Sequence, residues 1–154
     1  MDKFKIIEHT ADIGIEAYGE NLNELFENAA YGMFSIIAYP GKVEEKETAE
    51  IKILQPTLED LLHSWLEELL FRESTEEILF SKFIVRIYDY AEISLDSLEE
   101  RFSLIGKAFG EKINPKKHRL KTEIKAATYY QLKIEHYTIS DKRSAFKARV
   151  IFDV

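Results

Sequence analysis

The chain has 154 residues, enough for one ordinary domain with a real core, and its 45% hydrophobic and 32% charged residues are those of a soluble globular protein. A net charge of −7 argues against a protein that binds nucleic acid on its own, and the lack of cysteine excludes disulfides, thiolate metal sites and a cysteine nucleophile. No apolar run approaches the roughly 20 residues that span a bilayer, and the opening Met1-Asp2-Lys3-Phe4-Lys5 lacks the apolar core of a signal peptide, so the expected location is the cytoplasm, with no membrane partner.

Residues 4–9 and 13–18 read as two short strands, joined by a tight connection that contains Asp12. Asn21 and Glu24 form a capping box, with Asn21 as N-cap, and the helix that follows carries Leu22, Leu25, Phe26, Ala29, Met33, Phe34 and Ile37 at helical spacing until Pro40-Gly41 ends it. Residues 42–54 read as extended. Thr57, with Asp60 three residues on, starts a second helix whose broad stripe of Leu58, Leu61, Leu62, Trp65, Leu66, Leu69 and Leu70 calls for deep burial. Strands are then predicted over residues 83–88, 102–109, 124–134 and 146–152, with Asp141-Lys142 as the turn before the last. The glycines of Gly106-Lys107-Ala108-Phe109-Gly110, in a strand context, suggest a bulge rather than a phosphate cradle. Two helices followed by a run of strands predict an α+β fold. It is a single domain over residues 1–154, an antiparallel β-sheet with the two main helices packed on one face.

The two chain ends carry the most chemistry. Taken alone, Asp12 reads as a turn residue bonding local N–H groups, and Asp153 as a solvated residue of a fraying terminus. But Val150, Ile151, Phe152 and Val154 continue a strand to the last residue, which fixes the terminal carboxylate in place. If the first and last strands lie side by side, Asp12, Asp153 and the carboxylate of Val154 converge. Each carboxylate pair at ~4 Å costs on the order of 4 kcal/mol in a medium of intermediate dielectric unless a cation sits between them. Oxygen-only ligands suit a hard divalent ion, Ca²⁺, Mg²⁺ or Mn²⁺.

Lys125 reads as a solvated strand residue or, if near those acids, as a contact for a phosphate or a partner's carboxylate. His9, three residues before Asp12, reads as a structural histidine or one that orients the loop. His63 and Glu67 are spaced as a helix pair, not a zinc site. The run Lys112, Lys116, Lys117, His118, Arg119, Lys121 reads as a solvated loop and strand edge. There is no Walker loop, dinucleotide fingerprint, zincin motif or nucleophile elbow.

The order His9-Thr10-Ala11-Asp12, Glu24-Leu25-Phe26, Asp60-Leu61-Leu62, Trp65-Leu66, Ile124-Lys125-Ala126, Thr128-Tyr129 and the closing Phe152-Asp153-Val154 resembles the archease family over essentially the whole chain. The resemblance implies a small α+β accessory protein, not a catalyst, that assists the GTP-dependent RNA ligase of tRNA splicing, the RtcB type. It would promote guanylylation and turnover of the ligase, broaden the nucleotide the ligase accepts, and meet RNA only indirectly. It also implies a divalent metal, calcium first, at Asp12, Asp153 and Val154, and a functionally sensitive lysine at Lys125. One departure is Tyr130, where the family pattern leads one to expect histidine. Two other readings of the same acids are a metal-dependent phosphoesterase and a chaperone-like binding module with an incidental ion.

Overall fold

The structure is a computed structural model that describes residues 2–8, 11–91 and 101–154. Strands β1 (Phe4–Glu8) and β2 (Ile13–Gly19) lead into helix α1 (Leu22–Ile37) and a short 3-10 turn at Pro40–Lys42. Strand β3 (Glu47–Gln55), helix α2 (Leu58–Glu76), strands β4 (Ile78–Asp89) and β5 (Phe102–Lys112), the two-residue β6 (Ala126–Ala127), β7 (Lys133–Ser140) and β8 (Arg143–Asp153) follow. The α+β class with antiparallel pairing is observed, but the strands divide between two sheets. In one, β1, β2 and β8 lie side by side, and β6 and β7 share the far edge of β8; the other has the order β3-β5-β4.

Both helices touch both sheets: α1 packs on β1, β2, β8 and β4, and α2 on β3, β4, β5, β6 and β7. The core therefore lies where helices and sheets meet, with Trp65, Phe26, Phe34, Phe80 and Phe152 at its centre. Both helix starts form as their sequences require. The side chain of Asn21 accepts from the Glu24 N–H at 2.9 Å, and that of Thr57 from the Asp60 N–H at 3.0 Å.

Two expectations are corrected. Residues 124–134 do not form one strand. Pairing stops after Ala127↔Phe152 and resumes at Lys133↔Arg149, so six steps along one chain cover three along β8. The surplus is taken up by a turn in which Gln131 adopts φ 55° and the Leu132 N–H bonds to the Tyr129 carbonyl. The expected bulge is real but lies on the partner strand: β4 gains a residue between Phe80 and Lys82, opposite Gly110. A Cβ at Gly110 would fall on the Leu79 carbonyl, 1.8 Å away, so only glycine allows this approach.

The basic run is also less solvated than its composition suggests. Glu111, almost fully buried, accepts from Lys117 Nζ at 2.8 Å and from the Glu44 N–H at 2.6 Å. His118 is buried too. Its Nδ1 accepts from the Asn114 N–H, which leaves the proton of a neutral ring on Nε2, 3.3 Å from the Glu111 carboxylate. That separation, a long one, is an electrostatic contact rather than a strong hydrogen bond.

Above all the Lys117 ammonium, then the Glu44 N–H, hold Glu111 down to about 2 from its usual 4.5. A carboxyl depressed in the folded state contributes stability above its unfolded value and loses it as pH falls toward the folded one. Wild-type stability should accordingly drop by about 2 kcal/mol between roughly pH 5 and pH 2 through this group, less than the whole shift because Lys117 and Glu44 reach solvent. Glu111→Gln should flatten that limb, as read by urea unfolding across the range.

Candidate functional site: the end of the terminal strand

Antiparallel pairing of β2 with β8 runs from Gly19↔Phe146 to Ile13↔Phe152. Val150, Ile151 and Phe152 are buried, and Asp153, the last residue of the strand, is exposed. Continued one step beyond the last pair, the same register would set Asp12 opposite Asp153. Directly opposed residues of such a ladder point to one face with Cβ atoms about 4.5–5.5 Å apart. On the other side of β8, Ala126 pairs with Asp153, and the Lys125 N–H bonds to the Asp153 carbonyl at 2.7 Å. On that register Asp153 is the middle of a row that runs from Asp12 to β6. Asp12 is exposed as well, and among the described residues neither carboxylate has a hydrogen-bond or ion-pair partner.

Two carboxylates open to solvent and, among the described residues, unpaired are the donor type a hard divalent cation takes. Two side chains are few for the purpose. Among the described residues no group of three or more His, Cys, Asp or Glu is placed to hold a metal. The third oxygen donor would be the carboxylate of Val154, itself 44% exposed. His9 lies outside the described residues. Lys125 comes to this corner through its backbone. It also lines a groove along α2 together with Glu67, Glu73 and Glu123.

The short β6 is held from the α2 side. His63 Nε2 lies 2.9 Å from the Ala127 carbonyl, which makes it the protonated donor, and the Glu67 carboxylate accepts from the Ala127 N–H at 2.5 Å. One helix face therefore takes both backbone groups of one residue. The Tyr129 ring stacks on His63 with centroids 4.0 Å apart, and its hydroxyl donates to Asp60 at 2.8 Å. Burial first, then the Asp60 carboxylate, push Tyr129 up to about 12, so it remains a donor at neutral pH.

Sequence reading took His63 and Glu67 for a pair bonded to each other along the helix, and gave Asp60 only its capping role. The legible signal was the spacing of Asp60, His63 and Glu67 at i, i+3 and i+7, one polar stripe beside the leucine stripe. Glu67→Ala should leave the Ala127 N–H without a partner and lower stability by about 1–3 kcal/mol. Hydrogen exchange should quicken at Ala127 ahead of the β2–β8 amides, and Glu67→Gln, which keeps an acceptor oxygen, should restore most of the protection.

A helix-backed antiparallel α+β fold, in which the terminal strand β8 pairs with β2, defines the class. The model of the Archease protein family (MTH1598/TM1083) matches residues 4–154. Protein archease of Sulfurisphaera tokodaii is 49% identical over 136 residues, 88% of this chain and 91% of that protein. Protein archease of Sulfolobus acidocaldarius is 38% identical over 154 residues, the whole of both chains. The solution structure of Methanobacterium thermoautotrophicum protein 1598 superposes with a TM-score of 0.80 at 39% identity, over 100% of each chain. The chain belongs to the archease family.

Proposed function

We propose that this protein is a non-catalytic, cytoplasmic activator of a GTP-dependent tRNA-splicing RNA ligase of the RtcB type. It promotes guanylylation of the ligase, sustains its turnover and widens the nucleotide it accepts, meeting RNA only through the ligase. The match to the archease family over residues 4–154 carries this reading. The β2–β8 register, which continued one step would oppose Asp12 and Asp153, supports its metal part. In it, Asp12, Asp153 and the Val154 carboxylate gather negative charge at one exposed sheet end and hold a divalent cation, calcium first, with Mg²⁺ or Mn²⁺ as substitutes. Such an ion, when bound, supplies positive charge that offsets phosphate oxygens. Lys125, its backbone pinned to Asp153, offers an ammonium to a phosphate or to an acidic side chain of the ligase. Fixing this group on a strand rather than a loose tail keeps the donors in one geometry before the partner arrives.

The test is a guanylylation assay of the cognate ligase with GTP, with this protein added in amounts well below the ligase. The expected result is that each molecule of the protein serves many ligase molecules, so that guanylylated ligase and joined RNA far exceed the protein added. Equal guanylylation with and without it would overturn the proposal.

A further inference from the structure

The end of α2 and the segment 120–125 bound a groove of about 640 Å³. Its floor is apolar, with Ile37, Leu70 and Ile124 each no more than 5% exposed. Each wall also presents a large apolar side chain to solvent, Phe71 from α2 at 58% exposure and Leu120 from the segment at 55%. Exposed apolar side chains concentrated in one concave strip mark a contact surface rather than ordinary scatter.

Charge is unbalanced in the same place. The lining holds Glu67, Glu73, Glu77 and Glu123 against Lys121 and Lys125. Glu67 is engaged by the Ala127 N–H, and Lys121 sits over the Tyr39 ring at 4.2 Å. Glu73 is half-buried, and its carboxylate has no hydrogen-bond or ion-pair partner among the described residues. Burial first and the Glu123 charge second push it above its usual range.

The backbone adds a third observation. The segment runs from the Lys121 N–H, bonded to the Ile37 carbonyl, to the Lys125 N–H, bonded to the Asp153 carbonyl. Between them Thr122, Glu123 and Ile124 make no backbone hydrogen bond among the described residues. Unpaired backbone beside an apolar strip is what an added extended peptide satisfies.

We infer that this groove binds an extended segment of a partner protein that places an arginine or lysine at Glu73 and Glu123 and a bulky apolar side chain against Phe71 and Leu120. An apolar-acidic surface excludes nucleic acid, whose phosphates would meet like charge. The inference rests on the proposed function only in taking the ligase as the natural source of that segment; the peptide chemistry of the groove stands without it.

The experiment is a nuclear magnetic resonance titration of the amide-labelled protein with two synthetic peptides, acetyl-Leu-Arg-Val-Arg-Leu-amide and its counterpart with glutamate for arginine. In parallel, binding of the cognate ligase is measured for wild type and variants. The basic peptide should shift the amides of residues 71–77 and 120–125, and the acidic one should leave them in place. Phe71→Ser and Glu73→Lys should each weaken the basic peptide by about tenfold or more, and Phe71→Ser should do so with the melting temperature nearly unchanged, since Phe71 is mostly exposed. Equal response to both peptides, or shifts confined to other surfaces, would overturn the inference. Ligase binding unaffected by Phe71→Ser would remove the ligase as occupant while leaving the proposed activation intact. A groove that takes the basic peptide in a protein that does not bind the ligase would uphold the groove and sink the proposed function.

Discussion

Replacing Trp65 by alanine is expected to lower the unfolding free energy by about 3–5 kcal/mol, the range for removing a large buried aromatic. That is a large share of the roughly 5–15 kcal/mol that holds a domain together. Trp65 is fully buried and meets α1 and two strands of the β3-β5-β4 sheet. From α2 its Nε1–H donates to the Phe26 carbonyl of α1 at 3.1 Å. It meets Phe83 of β4 edge to face at 6.2 Å. Its ring also lies over Gly106 of β5, where a Cβ would come within 2.5 Å of the ring. This last contact makes the prediction specific. Gly106→Ala in the wild type should cost about 1–3 kcal/mol by overpacking, yet on the Trp65→Ala background the added methyl enters a cavity and should cost little or even stabilise. The coupling is read from a double-mutant cycle in urea. Additive effects would mean that the ring is not what keeps position 106 a glycine.

The contrast between what the sequence revealed and what it hid follows the range of the forces involved. Both helix starts were legible because Asn21 and Thr57 act within one turn, on residues three positions away. The sequence reading supposed the first and last strands side by side; in the structure β2 lies between β1 and β8, so it is the second strand that pairs with the last. A strand that alternates toward a core has its facing set by its apolar residues, and Ile13, Ile15 and Ala17 on β2 pair with Phe152, Val150 and Ala148 on β8, so that both apolar sets share one face.

The break after Ala127 was not legible. The alternation of residues 124–134 continues through the turn, and what ends pairing there is distant in sequence. His63 and Glu67 grip Ala127 from α2, and Tyr129 is drawn to Asp60. The same holds for the basic run. Lys117 and His118 look solvated until β5 brings Glu111 against them. Lys125 was read as a strand residue, but it and the groove it lines belong to a segment outside any strand, where periodicity carries no information.

Asp12→Ala and Asp153→Ala are each expected to remove cation binding and ligase activation together while the fold stays intact. Both side chains are exposed and, among the described residues, unpaired, so the loss of either costs the apo protein no more than about 0.5 kcal/mol. Two carboxylates that face each other repel, and removing one relieves the other, so a slight gain in apo stability is the more natural sign.

Cation binding responds in the opposite direction. Even changes around a metal's ligands cost about 10–100-fold in affinity, and the loss of a charged ligand from so small a set should cost at least the upper figure. A readout independent of the ligase follows from linkage. A cation at about 100 times its dissociation constant adds about 2.7 kcal/mol to the folded state. For a chain of this length that is a rise of about 5–10 °C in melting temperature. Calcium should give this rise in the wild type, chelation should reverse it, and neither aspartate variant should respond. Adding a few residues after Val154 discriminates further. It leaves Asp12 and Asp153 untouched but moves the terminal carboxylate, so the calcium response should fall with both side chains in place. A wild-type response that survives Asp153→Ala, or activation that persists without any bound ion, would detach the metal from the acidic end of β8.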